Sequence, residues 1–292
     1  MRGICMDETD YFSILKSAVN IKGKVVLEIG GVMPPTLVMD GNIKQWISID
    51  ISPKRLDTNH SSGIVNSDKY SALLMDASQM TFPDEEFDIV FSSNCFEHIS
   101  DLPNALKHIH RVLKPGGILF TIFAPIWSGP HGHHTWVWDQ DKPLTFSDNV
   151  FPDWHHLLMD ETELGEYLNR KYRSELCESI LRYVYRSNDI NRRVDSDYEL
   201  EIGKYGFKRI IDYRIQTHTK LQKEILNQLR IKYPKVWDFR TQGYFWLFSK
   251  GSISFWFRLR AYFGTGLQIV YRKLYYDKFR KILTKFGKIL QK

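Results

Sequence analysis

Phe87-Asp88-Ile89-Val90-Phe91-Ser92 is followed by an amphipathic stretch from Asp101 to Leu113, and then by Lys114-Pro115-Gly116-Gly117-Ile118-Leu119-Phe120-Thr121-Ile122-Phe123. The first and last runs are short, apolar and β-rich, as strands buried on both faces are. Between them Leu102, Ala105, Leu106, Ile109, Val112 and Leu113 recur at helical spacing. Asp101 fits an N-cap, Pro103 sits in the first turn, and Lys114-Pro115-Gly116-Gly117 is a stop signal. Strand, helix and strand in that order imply a right-handed crossover between parallel neighbours.

Upstream, three further apolar runs have the same character: Val25-Val26-Leu27-Glu28-Ile29-Gly30, Trp46-Ile47-Ser48-Ile49-Asp50-Ile51 and Ala72-Leu73-Leu74-Met75-Asp76. Downstream the pattern breaks. Residues 124–158 are rich in Trp, His, Pro and Asp and read as a long ordered loop, of the kind that is usually functional. Glu161 to Tyr172 reads as a helix with Asp160 near its start, and the charged segment 175–200 is undecided. Phe207 to Ile215 and Gly243 to Ser249 read as strands flanking a helix over 219–231. The expected class is α/β, a Rossmann-like sheet with helices on both faces.

In such sheets ligands bind at the carboxyl ends of the strands. The first run ends in Glu28-Ile29-Gly30-Gly31, where glycine admits a ligand close to the backbone or simply makes a tight turn. Asp50, 20 residues after Gly30, suits the two hydroxyls of a ribose, or a helix cap. Asp76-Ala77 suits an adenine amino group, or a turn. The fourth run ends in Ser93-Asn94, beside Phe96-Glu97-His98.

Each signal is weak alone, but their order is not. Asp76-Ala77-x-x-Met80-x-Phe82-Pro83-Asp84-x-x-Phe87-Asp88, then Phe96-Glu97-His98-Ile99, then Arg111-Val112-Leu113-Lys114-Pro115-Gly116-Gly117 resemble the class I S-adenosylmethionine-dependent methyltransferases of the small-molecule-methylating type. The resemblance covers about 105 residues after Ile21. It implies a seven-stranded sheet whose last strand is antiparallel. It also implies cofactor roles: Glu28, Gly30 and Gly31 at the methionine end, Asp50 at the ribose, Asp76 and Ala77 at the adenine, Asn94 and Phe96 beside the sulfonium. One departure stands out. The family's second glycine is Val32 here, and Met33-Pro34-Pro35 follows, so a proline is expected to open the next helix. With Val32 and Pro35 in place of glycines, the dinucleotide pattern G-x-G-x-x-G is also excluded.

Methyl transfer from a sulfonium asks mainly for alignment, and a hydroxyl acceptor is helped by a general base. His131, His133 and His134, in Trp127-Ser128-Gly129-Pro130-His131-Gly132-His133-His134-Thr135-Trp136, are the candidate catalytic residues. Three readings stay open for them: a base or acceptor-binding group, metal ligands, or hydrogen-bonders that hold a polar loop. Spacing fixes no carboxylate partner, so no metal ligand is assigned. Trp127, Trp136, Trp138 and Trp154 are core residues or an apolar, sugar-stacking wall, and His155 and His156 are candidates for the same pocket. His98 fits the cofactor wall better than a base, and Cys95 reads as a small buried residue.

The chain has 292 residues, 43% hydrophobic, and a net charge of +6 that is unevenly spread. Residues 251–292 hold ten Lys and Arg and one acid, Asp277, so the basic charge belongs to this tail and nucleic acid is not an expected partner of the body. The expected division is a methyltransferase domain over 1–250, with an acceptor-side insertion at about 124–160, and a basic, aromatic, helical extension over 251–292. Tyr271, Tyr275, Phe279, Ile282, Phe286 and Ile289 form a helical stripe suited to an anionic membrane surface, to packing on its own domain, or to a second subunit or partner protein. No apolar run approaches a bilayer span, and Cys5, Cys95 and Cys177 suggest no disulfide framework, so a cytoplasmic protein, peripheral on the inner membrane face, is expected. The expected acceptor is a small molecule or a glycan precursor of surface polysaccharide synthesis. The rival is a non-catalytic scaffold of the same fold in a membrane-associated assembly.

Overall fold

The computed structural model describes residues 8–31, 33–39, 42–60 and 68–266. Val32 and the stripe from Tyr271 onward lie outside these residues. A seven-stranded sheet organises the chain. Its strands are β1 (Val25–Ile29), β2 (Gln45–Asp50), β3 (Tyr70–Leu74), β4 (Phe87–Ser93), β5 (Leu113–Phe123), β8 (Lys208–Gln216) and β9 (Thr241–Ser249). They lie in the order β3-β2-β1-β4-β5-β9-β8. β9 runs antiparallel to both its neighbours, and the other neighbouring pairs are parallel. This is the arrangement that the strand-helix-strand reading and the family resemblance imply.

Strand periodicity divides the core into two layers. Leu27, Ile29 and Val90 face one side, where they meet α4 (Leu102–Val112) and Tyr198 of α8 (Asp195–Gly203). Val26, Ile89 and Phe91 face the other, against α1 (Glu8–Ala18), α2 (Pro35–Met39) and α3 (Pro53–His60). α4 is built as its sequence predicts: Asp101 accepts from Asn104 N–H, and Leu102, Ala105, Leu106, Ile109 and Val112 are buried. Burial of each large member of that row is worth about 1.5–3 kcal/mol. Pro35 opens α2.

Three expectations change in detail. β5 starts at Leu113 rather than Gly117, because Lys114–Gly117 form a bulge against β4 that Gly116 N–H ties to the Lys250 carbonyl at 2.5 Å. The loop over 124–158 has its own structure. It contains a hairpin of β6 (Trp136–Asp139) and β7 (Lys142–Thr145), a 3-10 turn over Phe146–Asp148 and the short helix α5 (His155–Leu158). The undecided segment 175–200 holds most of α7 (Ser174–Leu181), a π-turn over Arg182–Arg186 and the start of α8. With α6 (Glu161–Asn169) and α9 (Lys223–Lys232) these elements enclose a third core around Trp154, Leu164, Ile180 and Phe239, roofing the carboxyl edge of the sheet.

Residues 255–266 are helical and seat on α1: Ala261 is fully buried, and a Cβ on Gly264 would lie 2.2 Å from the Ser17 carbonyl oxygen. The opposite face leaves Phe255, Trp256, Tyr262 and Phe263 exposed. Among the described residues no helix is long and apolar enough to cross a membrane.

Candidate active site

A cavity of about 540 Å³ opens at the carboxyl ends of β1, β2 and β4. Gly30, Asp50, Asp76, Ala77 and Asn94 line it, so five of the eight residues predicted to meet a cofactor come together from four separate loops. Gly30 adopts φ +93°, and a Cβ there would lie 2.9 Å from both Cβ and Sγ of Cys95. The glycine is therefore required by backbone angle and by the close approach of the segment after β4. Asp50 is 7% exposed; one carboxylate oxygen accepts from Ser52 N–H at 2.7 Å, and the other stands 3.8 Å from Arg55 Nη1. Asp76 caps the turn Ala77–Gln79, one oxygen accepting from both the N–H and the hydroxyl of Ser78. Asn94 turns the chain out of β4 at φ +46°.

Three predicted residues lie elsewhere. Glu28 alternates away from the cavity into the opposite layer, and its carboxylate is consumed there. It accepts from Met33 N–H at 2.9 Å, Trp46 Nε1–H at 2.8 Å and the Ser48 hydroxyl at 2.5 Å. It clamps the loop after β1 to β2 instead of lining the cavity. Phe96 is fully buried, packed on Phe123 and Trp246. Gly31 packs beside Asp50, where a Cβ would find ordinary contact at 3.5 Å.

The histidine run is scattered rather than focused. His131 pairs with Asp153 at 3.0 Å, and His133 is buried against Phe151 with Nδ1 at 2.6 Å from the Thr135 hydroxyl. Neither reaches the cavity. His134, turned by φ +49°, stands edge to face with His98, centroids 4.9 Å apart, and His98 does line the cavity. His134 Nε2 meets the Pro125 carbonyl at 2.8 Å, and His98 Nδ1 meets the Asp189 carbonyl. Burial keeps both imidazoles uncharged at neutral pH, holding His134 down at about 3 and His98 below its ordinary value. Glu97 beside them is fully buried, and among the described residues neither oxygen has a partner in hydrogen-bonding geometry. Burial pushes its carboxyl up to about 8, and the nearby main-chain N–H groups of Glu97 and Ala124 offset only part of this. The Cys95 thiol is raised to about 12, by burial and then by the charges of Glu97 and Asp50, so it is no nucleophile.

Sequence reasoning missed Arg55, Tyr183, Asn188 and Asp189 in the cavity wall. The last three come from the roof, some ninety residues after β4, and no spacing rule links them to it. A second depression of about 560 Å³, lined by Trp136, Trp138, Arg182 and Arg186, shares Tyr183 and Asp189 with the first. Trp136 and Trp138 project from the same face of β6, 54% and 61% exposed. Among the described residues Arg182 has no ion-pair partner, whereas Arg186 is held by Glu161 and Glu178.

Residues 28–121 match the family model described as a methyltransferase domain. Two relatives are a ubiquinone/menaquinone biosynthesis C-methyltransferase of Psychromonas ingrahamii and a malonyl-[acyl-carrier protein] O-methyltransferase of Serratia marcescens. The first is 27% identical over 57% of this chain and 66% of its own, the second 38% over 28% and 31%. The chain thus spans less than two thirds of either relative's length. A solved S-adenosylmethionine-dependent methyltransferase of Mesorhizobium loti superposes with a TM-score of 0.51 at 12% identity, over 82% of this chain and 97% of that one. The fold is that of the class I S-adenosylmethionine-dependent methyltransferases. The segment over residues 28–121 is similar to the methyltransferase-domain family.

Proposed function

We propose that the chain is an S-adenosylmethionine-dependent methyltransferase acting on a hydroxyl or amine of a small molecule or glycan precursor. The observation that carries this reading is the convergence of Gly30, Asp50, Asp76, Ala77 and Asn94 on one cavity at the switch edge of the sheet. The residues fit the cofactor: Asp50 faces the cavity with one oxygen only loosely paired, for the ribose, and exposed Ile51 offers an apolar lip for a purine. When bound, the cofactor supplies a methyl group already activated on a sulfonium. The chain's own task is to align an acceptor and keep water away. His98, Tyr183 and Asp189 bound the cavity end where that acceptor would enter, beneath the roof.

The two relatives act on different atoms, carbon in one and oxygen in the other, so the acceptor is argued from this chain's residues. The Trp136–Trp138 platform suits a sugar face, and Arg182 beside it, without an ion-pair partner among the described residues, suits an anionic group. We therefore read the acceptor as a phosphorylated or nucleotide-linked sugar, as in surface polysaccharide assembly. The exposed aromatic face of helix 255–266 favours work at a membrane surface. Formation of S-adenosylhomocysteine across nucleotide sugars, sugar phosphates and neutral alcohols and amines tests the acceptor. Turnover is expected with the anionic sugars, falling at least about tenfold in Arg182→Gln. Turnover with neutral acceptors alone, indifferent to Arg182, overturns this acceptor class. Retention of the full-length protein in the supernatant with phosphatidylglycerol vesicles overturns the membrane reading.

A further inference from the structure

Glu97 and His98 follow β4, whereas His134 follows β5, and the fold alone brings them together. One ring nitrogen of each histidine and a carboxylate oxygen of Glu97 lie within 4.8 Å of one another. The two rings are oriented by main-chain carbonyls, Asp189 for His98 Nδ1 and Pro125 for His134 Nε2. A carbonyl only accepts, so those nitrogens carry the protons and the opposite nitrogens present lone pairs. Metal-ligating histidines are held in this way, with the second N–H fixed by a carbonyl or carboxylate. The centroid separation of 4.9 Å also fits. Two imidazoles bonded at about 2.1 Å to one ion place their centroids about 4.5–5.2 Å apart. Glu97 supplies the independent observation: it is a fully buried carboxyl neither of whose oxygens has a partner in hydrogen-bonding geometry among the described residues, and the nearby main-chain N–H groups of Glu97 and Ala124 offset its burial only in part. Such a group is costly unless something pairs with it.

We propose that Glu97, His98 and His134 form a binding site for one divalent transition-metal ion at the acceptor end of the cavity. Two imidazoles and a carboxylate suit zinc, manganese or iron(II) rather than magnesium or calcium. Bonds of about 2.1 Å bring ligand atoms to about 3–3.4 Å from one another, so the three side chains close on the ion by rotation. Three protein ligands leave a position open towards the cavity that His98 lines, where an acceptor oxygen would bind. That last role rests on the function proposed above; the ion site itself does not.

The test uses the full-length protein, stripped with a chelator and titrated with Co²⁺, whose visible d–d absorption reports nitrogen and oxygen ligation, and then with Zn²⁺ in competition. One ion per chain is expected, with Zn²⁺ displacing Co²⁺. Glu97→Gln and His98→Gln should each weaken binding at least about tenfold, and His131→Ala should leave it unchanged. Circular dichroism confirms folding of each variant; should buried Glu97→Gln fail to fold, His98→Gln at the partly exposed position carries the comparison. Absence of saturable binding, binding indifferent to His98→Gln, or binding lost in His131→Ala overturns the site. S-adenosylmethionine affinity of the stripped protein is measured separately. Loss of metal binding with cofactor affinity intact refutes this site alone, and the converse refutes the proposed function alone.

Discussion

The Cβ that Gly30 lacks would lie 2.9 Å from Cys95 Sγ, so the turn after β1 and the segment after β4 are pressed together at the mouth of the cavity. Gly30 also needs φ +93°. Gly30→Ala should therefore cost about 1–3 kcal/mol in urea denaturation, combining a positive-φ penalty with overpacking. Gly31→Ala, whose nearest atoms stand at 3.5 Å, should cost far less. Equal losses would contradict this account of the turn.

Glu28 acts on the same turn from behind. Glu28→Leu removes the acceptor for Met33 N–H, Trp46 Nε1–H and the Ser48 hydroxyl, and should cost at least about 1–3 kcal/mol of stability. Because the carboxylate does not line the cavity, the conservative Glu28→Gln should bind S-adenosylmethionine within a few-fold of the wild type wherever it remains folded. A large loss of affinity in a stably folded Glu28→Gln would restore the direct cofactor role that the sequence suggested.

Asp88 accepts from Val25 N–H and pairs with Lys24 and Lys114, each at 3.0 Å. Burial raises its carboxyl, but Val25 N–H, Lys114 and Lys24 together hold it below the ordinary value. A folded-state value below the unfolded one gives stability that is full above about pH 4 and is lost as pH falls through the folded value. Asp88→Asn should lower the midpoint of thermal unfolding at pH 7 and flatten its dependence on pH below about 4. A parallel shift at all pH values would show that Asp88 contributes no linkage.

His156 is buried, and its Nε2 donates to the Trp127 carbonyl at 2.8 Å. Burial lowers it to about 4, with the Trp127 carbonyl opposing. The neutral ring belongs to the fold, so its contribution is full above about pH 6.5 and declines as pH falls from there towards 4. His156→Gln keeps a donor for Trp127 and removes the titration. Its stability deficit at pH 7 should narrow by pH 4.5, followed by tryptophan fluorescence in urea; a constant deficit would contradict this.

Much of the sheet was legible because buried strands and a capped amphipathic helix carry local signals: the apolar runs of β1 and β4, and the Asp101 cap with its Leu102–Val112 row. Strand faces were less legible. β1 is buried along its whole length, so its apolar run gives no sign that Glu28 points away from the ligand side. His131, His133 and His134 look like one cluster in sequence, yet the local turn, with His134 at positive φ, sends them to three environments. Tyr183, Asn188, Asp189 and the Glu97–His98–His134 grouping depend on long-range packing of the roof, to which no spacing rule applies.

The central claim is that Asp50 and its neighbours bind S-adenosylmethionine, and calorimetric titration of the purified protein with that cofactor tests it most directly. Saturable binding at one site per chain is expected, weakened at least about tenfold in folded Asp50→Ala by loss of the ribose partner. No binding by the wild-type protein, or unchanged affinity in Asp50→Ala, would contradict it.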